Sequence, residues 1–210
     1  MLGVVLCSVF VVRAQEMNVE KKQDLWDAQY YKQNSDFQLT RGVSLLDRLD
    51  LKETDHVLDV GCGDGRITAN IAKRVPNGSV FGIDVSASMI AEAQKNFVGI
   101  KNVSFQLADA MTFKSAPLFD KAFSSAVFHW IPDRAMALKN IFNALKPGGF
   151  FVMSMGTPED NGPVHRVLTS AKWASAMAGH EESFFAETPE SLKQLLEACG
   201  FVNVKTELYA

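Results

Sequence analysis

Residues 57–65 read Val57-Leu58-Asp59-Val60-Gly61-Cys62-Gly63-Asp64-Gly65, an apolar run carrying one acid and followed by three glycines at alternate positions. The short apolar stretch 56–60 is a strand. The glycines behind it let the backbone turn tightly and let a ligand approach without meeting a Cβ. Residues 66–75 then place Ile67 and Ile71 on one helical face. Strand, glycine turn and helix form the opening unit of a doubly wound sheet, and a ligand is expected across the turn.

On either side of this unit, helix-like and strand-like patterns alternate from about residue 38, as a parallel sheet with crossover helices requires. Leu39, Val43, Leu46 and Leu49 mark a helix over 38–49. Residues 79–84 are the second strand. Ser86 can cap the helix that carries Met89, Ile90, Ala93 and Phe97, because its hydroxyl satisfies amides of the first turn. Residues 103–107 are the third strand, and 119–127, almost continuously apolar, the fourth, buried on both faces. A stripe of Leu138, Ile141, Phe142 and Leu145 stops at Lys146-Pro147-Gly148-Gly149, ahead of a fifth strand over 150–155. Residues 164–177 read as a helix. Thr188-Pro189 opens another, with Gly200 just past its end, and 201–209 is a sixth strand. The predicted fold class is α/β, a doubly wound, mostly parallel sheet.

Two ligands suit such a turn, a dinucleotide and S-adenosylmethionine. Dinucleotide sites use G-x-G-x-x-G, with amides and a helix N-terminus facing a pyrophosphate. Here the pattern is G-x-G-x-G, and Asp59 stands two residues before the first glycine. A carboxylate there repels a pyrophosphate and favours a ligand bearing an ammonium and a sulfonium. Asp84 ends the second strand, nineteen residues after Gly65, where an acid accepts from both ribose hydroxyls in either ligand class. Asp109-Ala110 ends the third, where a carboxylate can accept from an adenine amino group. Three acids on the carboxyl edge of one sheet make a cleft at the topological switch point.

Composition narrows the partners. With 210 residues, 47% hydrophobic and 21% charged, the chain is globular and sized for one domain. A net charge of -3 without a Lys/Arg run gives no footprint for nucleic acid. Three scattered cysteines and four histidines lack disulfide or metal-ligand spacing, so reduced thiols and no metal are expected. Residues 1–16 form an apolar extension ahead of a domain over 17–210. Its first twelve residues are too short to span a bilayer. They read either as a signal-peptide core ending near Ala14, which implies secretion, or as sequence upstream of a true start at Met17. The second reading, with a cytoplasmic protein, is preferred because Cys62 stands unpaired in the glycine loop. A monomer or dimer is expected.

The chain resembles the class I S-adenosylmethionine-dependent methyltransferases over residues 25–209, through VLDVGCGDG, FGIDVSASM, LADAMTF, FDKAFSSAVFHWIPD and LKPGGFFVMS. Within that class it looks most like enzymes that esterify small carboxylic acids, such as the trans-aconitate and juvenile hormone acid methyltransferases. That narrower likeness rests on WDAQYYKQNSDFQ, on His129-Trp130 and on the Trp173 segment. The resemblance implies that Asp59 and Gly61 hold the methionine end of the cofactor and Asp84 the ribose, with Cys62, Gly63 and Val85 also among the cofactor-binding residues. It places Asp109 and Ala110 at the adenine, Met89 on the adenine face, and the Ser125 carbonyl near the ammonium. Tyr30 and Gln38 close over the site. Similar enzymes also carry a final antiparallel strand that this sequence does not reach, so that strand is expected to be lacking.

A carboxylate acceptor is deprotonated at neutral pH and needs no general base, which fits the lack of an obvious one. Amino-methylating relatives carry Asn or Asp, two prolines and an aromatic residue after the fourth strand, whereas this chain has Ser125-Ala126-Val127-Phe128-His129-Trp130. His129 is the candidate catalytic base for a hydroxyl acceptor, or else a structural histidine. Trp130, His165, Arg166 and Trp173 are candidate acceptor contacts, with His165 or Arg166 meeting a carboxylate. The leading expectation is O-methylation of a small carboxylic acid. C- or N-methylation of another metabolite, an NAD-dependent oxidoreductase and an inactive cofactor-binding fragment stay open.

Overall fold

The structure is a computed structural model that describes residues 35–116, 118–158 and 185–208. Its elements run α1 (Asp36–Leu45), a 3-10 turn (Leu46–Leu49), β1 (His56–Val60), α2 (Arg66–Arg74), β2 (Ser79–Asp84), α3 (Ala87–Phe97), β3 (Val103–Leu107) and β4 (Phe119–Ser125). A second 3-10 turn (Phe128–Trp130), α4 (Arg134–Ala144), β5 (Leu145–Ser154) and α5 (Pro189–Ala198) follow. Among the described residues the sheet has five strands in the order β3-β2-β1-β4-β5, and every pairing is parallel. β1 and β4 are neighbours, so the winding reverses between them. That is the topological switch point at which a doubly wound sheet opens a crevice beyond its carboxyl ends.

Strand periodicity sorts the core into two faces. Val57, Val80 and Phe123 pack with Leu45, Leu46 and Leu49 beside α1 and with Ile71 and Ala72 of α2. Leu58, Val60, Ile83 and Ala122 pack instead with Ala137, Leu138 and Ile141 of α4 and with Leu196 of α5. Asp59 shares the face of Val57 and is thereby aimed at α2.

Three departures from the expected elements have local causes. β4 ends at Ser125 rather than at residue 127 because Ala126 takes a left-handed φ of 59°, turning the chain into the 3-10 segment. β5 starts at Leu145, earlier than expected. Leu145 pairs with Phe119 and Phe150 with Lys121, so residues 146–149 loop out of the ladder between them, with Gly148 at φ +80°. Residues 201–208 form no strand. Gly200 and Asn203 both have positive φ, which breaks the extended run. Phe201 spends its ring on Phe142 and Phe151, 5.2 and 5.7 Å between centroids, while Val202 and Leu208 are exposed. Caps match their residues: Ser86 accepts from the Met89 amide, and Thr188 and Ser191 form a capping box on α5. No helix of the described residues is long and apolar enough to cross a membrane, and none of their His, Cys, Asp and Glu side chains cluster as a metal site would.

Candidate functional site

β1 delivers the chain to the glycine turn at the switch point, and the turn is fastened to β2. The Gly61 and Cys62 amides both donate to the Ile83 carbonyl, at 2.8 and 3.0 Å. The Gly63 amide donates to Asp84 Oδ2 at 2.9 Å, and Asp84 Oδ1 accepts from the Ser86 amide at 2.8 Å. Asp84 thus fastens both the turn and the start of α3.

Gly61 and Gly63 have left-handed φ values of 70° and 55°. A Cβ on Gly61 would collide with the methyls of Val127, whereas one on Gly63 would meet nothing within 4 Å. The first glycine therefore lets the β4 exit lie on the turn, and the second leaves open space beside the Asp84 carboxylate. Val85, next along, is 61% exposed on the same edge.

Asp59 is 2% exposed and accepts a 2.6 Å hydrogen bond from Thr68 Oγ1 on the first turn of α2. Burial pushes its carboxyl up to about 7, Thr68 pulls it back down, and the charge of Asp84 adds to the rise. Burial, and then the charges of Asp59 and Asp84, also hold the Cys62 thiol well above its ordinary value, so Cys62 packs the turn as a thiol rather than as a nucleophile.

Asp64 and Arg66 build a second brace. The Arg66 Nε donates to Asp64 Oδ2 at 2.7 Å, and its Nη2 reaches Ser35 Oγ at 2.5 Å. Asp64 and Ser35 are buried. Arg66 therefore ties the start of α1 to the glycine turn, which brings Gln38, exposed on the first turns of α1, to the same end of the sheet. Sequence reading missed Thr68, Asp64 and Arg66. Their signal was three polar side chains, Asp64, Arg66 and Thr68, at alternate positions where a helix entering the core begins.

At the end of β3 the Asp109 side chain accepts from the Met111 amide at 2.8 Å, and Asn140 donates to the carbonyls of Ala110 and Met111 at 3.0 and 2.8 Å. Met89 is buried, at 3% exposure. Ser125 Oγ lies 3.3 Å from Ser154 Oγ at the tips of β4 and β5. His129 is buried beside Trp130, which is 43% exposed, their rings edge to face at 5.1 Å. The carboxyl edge of the sheet thus brings together Asp59, Gly61, Cys62, Gly63, Asp84 and Val85, with Asp109 and Ala110 on one flank and Ser125, His129 and Trp130 on the other. Tyr30, His165, Arg166 and Trp173 lie outside the described residues.

Comparison with known proteins bears on the family and the fold. Residues 51–200 match the family model of a methyltransferase domain. Two curated relatives, both trans-aconitate 2-methyltransferases, come from Azoarcus sp. and Methylobacterium radiotolerans. They are 34% and 33% identical over 73% and 72% of this chain and 60% and 58% of their own lengths. The chain therefore spans about 60% of the length of these curated relatives. A SAM dependent methyltransferase from Aquifex aeolicus shares the fold, with a TM-score of 0.62 at 20% identity over 83% of this chain and 88% of that one. By family model, sequence and sheet order together, the chain belongs to the class I S-adenosylmethionine-dependent methyltransferases.

Proposed function

We propose that this domain transfers the methyl group of S-adenosylmethionine to the carboxylate of a small organic acid. The observation that carries the donor half is the open space over Gly63, with the Asp84 carboxylate 2.9 Å from its amide and Asp59 buried behind the turn. An anionic, Cβ-free cradle suits a nucleoside with a cationic tail and penalises a pyrophosphate. The residues present fit the cofactor: Asp84 would hold the ribose, Gly61 and Gly63 the methionine end, and Asp109 with the Ala110 amide the adenine. Bound there, the cofactor supplies a methyl group activated by its sulfonium.

The acceptor half rests on chemistry and on the relatives. A carboxylate is already a nucleophile at neutral pH, so the protein's task is to orient it in line with the methyl group and to strip water from both, which can contribute several kcal/mol. The trans-aconitate 2-methyltransferase relatives support an acid as acceptor. The β4 exit, pressed on the glycine turn through Val127, is the wall from which Trp130 meets it. The buried free thiols of Cys62 and Cys199 support a reducing compartment such as the cytoplasm.

Incubation with methyl-labelled donor and a panel of small carboxylic acids tests the reading. Base-labile label, released as methanol, is the expected product. Label found only in base-stable products would replace the carboxylate with a carbon or nitrogen acceptor. Asp84→Ala should weaken S-adenosylhomocysteine binding by about 2 kcal/mol, roughly thirtyfold, because charge-assisted hydrogen bonds to ribose and turn are lost together. Unchanged binding by calorimetric titration would remove Asp84 from the site.

A further inference from the structure

The β4 exit places His129 against two distant stretches of chain. Its Nδ1 accepts a 2.9 Å hydrogen bond from the Gly156 amide, two residues beyond β5. Its carbonyl accepts a 2.7 Å hydrogen bond from the Phe185 amide, on the segment leading into α5. The same segment is held a second time by Arg134 at the start of α4, whose Nη2 pairs with Glu187 Oε1 at 2.9 Å, both side chains mostly buried. The Arg134 guanidinium also covers the Phe185 ring at 5.2 Å.

These contacts decide what the imidazole can do. An Nδ1 that accepts an amide hydrogen leaves the ring proton on Nε2, so the ring is neutral and its basic nitrogen is already engaged. A base for an acceptor hydroxyl needs a nitrogen open to that proton, and this ring keeps its acceptor nitrogen on the Gly156 amide.

We propose that His129 is a positioning residue for the methyl acceptor: it joins the chain after β5 and the segment before α5 to the β4 exit, and thereby sets Trp130 beside the glycine turn. The proposal rests on the methyltransferase reading above. The coupling runs through packed neighbours: Val127 lies on Gly61, the 3-10 turn carries the chain from Val127 to His129, and the imidazole and Trp130 rings meet edge to face. A ring with this role fixes the distance between acceptor wall and donor without touching the transferred methyl group.

Two variants separate positioning from proton transfer. In His129→Asn the amide Oδ1 can stand where Nδ1 stood and accept from Gly156, while His129→Phe keeps the ring shape and loses the acceptor. The Phe variant should raise the acceptor KM about tenfold, because the part-buried Gly156 amide loses its acceptor and the wall carrying Trp130 loosens, with S-adenosylhomocysteine affinity unchanged. The Asn variant should recover most of that loss with kcat near wild type. A fall in kcat of a hundredfold or more in the Asn variant is the mark of a lost general base and would overturn the proposal. Two readouts need no acceptor and so stand even if the carboxylate assignment fails. Long-range proton–nitrogen spectra should show the His129 proton on Nε2. Amide exchange at Gly156 should accelerate in the Phe variant and stay protected in the Asn variant. A proton on Nδ1, or equal exchange in both variants, would sink the idea.

Discussion

Gly61→Ala should unfold the protein at a markedly lower temperature, whereas Gly63→Ala, two residues on, should leave it folded and unable to hold its cofactor. Both positions have left-handed φ, and an alanine in that region costs about 1 to 2 kcal/mol wherever it stands. The difference lies in what the new methyl meets. At Gly61 it enters the space of the Val127 methyls, and overpacking of that kind adds about 1 to 3 kcal/mol. At Gly63 it enters open space, so only the backbone term applies. For a chain of this length each kcal/mol shifts the midpoint by about 2 to 4 °C. A drop of roughly 10 °C is therefore expected for Gly61→Ala and about 4 °C for Gly63→Ala. Binding should follow the opposite pattern per degree lost, since the Gly63 methyl takes up the open space in which the proposed donor would lie. Calorimetry of both variants, thermal and with S-adenosylhomocysteine, checks the pair. A Gly63→Ala protein that binds normally would show that the ligand lies elsewhere.

Much of the sheet was legible because its signals are local. β1, β2 and β3 were read at their observed bounds, since each is a short stretch rich in strand-forming residues that stops at a glycine turn or just before or at an acid. Ser86 and Thr188 marked helix starts through side-chain caps, and Gly200 a helix end through its positive φ, all within a few residues. The misreadings share a different cause. An alanine at position 126 carries no sequence sign of left-handed φ, which it adopts with its amide on the Ser154 carbonyl. Residues 146–149 looked like a helix stop because Pro147 and two glycines follow a helical stripe. The ladder with β4 instead recruits Leu145 and loops those residues out. Residues 201–208 have strand composition, but composition does not supply a partner strand.

The site divided along the same line. Glycines and strand-end acids announced themselves by spacing, and Asp84 stands on the turn as the pattern required. Asp109 engages its own loop at Met111, the local cap that such an acid makes by default. Thr68, Asp64 and Arg66 were hidden because their roles are pairwise. A threonine at the start of a helix is unremarked until β1 is seen to aim Asp59 at it, and Arg66 looks like a surface residue until Ser35 and Asp64 close around it.

That pairing makes Asp59→Asn the most informative single change, because it should stabilise the protein above neutral pH while weakening donor binding. Burial pushes the Asp59 carboxyl up to about 7 in the fold, against about 4 for an ordinary aspartate. A folded value above the unfolded one means that the unfolded chain gives up its proton first. Stability from this group is therefore whole below pH ~4, declines as pH rises toward 7, and levels off beyond. At about 1.36 kcal/mol per pH unit the decline approaches roughly 4 kcal/mol. Asparagine keeps an oxygen for Thr68 and cannot ionise, though its amino group must find a partner in the core, so a net gain of about 2 kcal/mol at pH 8 is expected. Near pH 4 the gain should vanish. Donor affinity should behave in the opposite sense. A ligand with ammonium and sulfonium charges favours ionised Asp59, so wild-type binding strengthens from pH 6 to 8, and the Asn variant binds more weakly and almost independently of pH. Denaturant melts and donor titrations at pH 5, 6.5 and 8 read both effects. A variant less stable than wild type at pH 8, or one whose binding keeps the wild-type pH slope, would remove Asp59 as the buried counter-charge of the site.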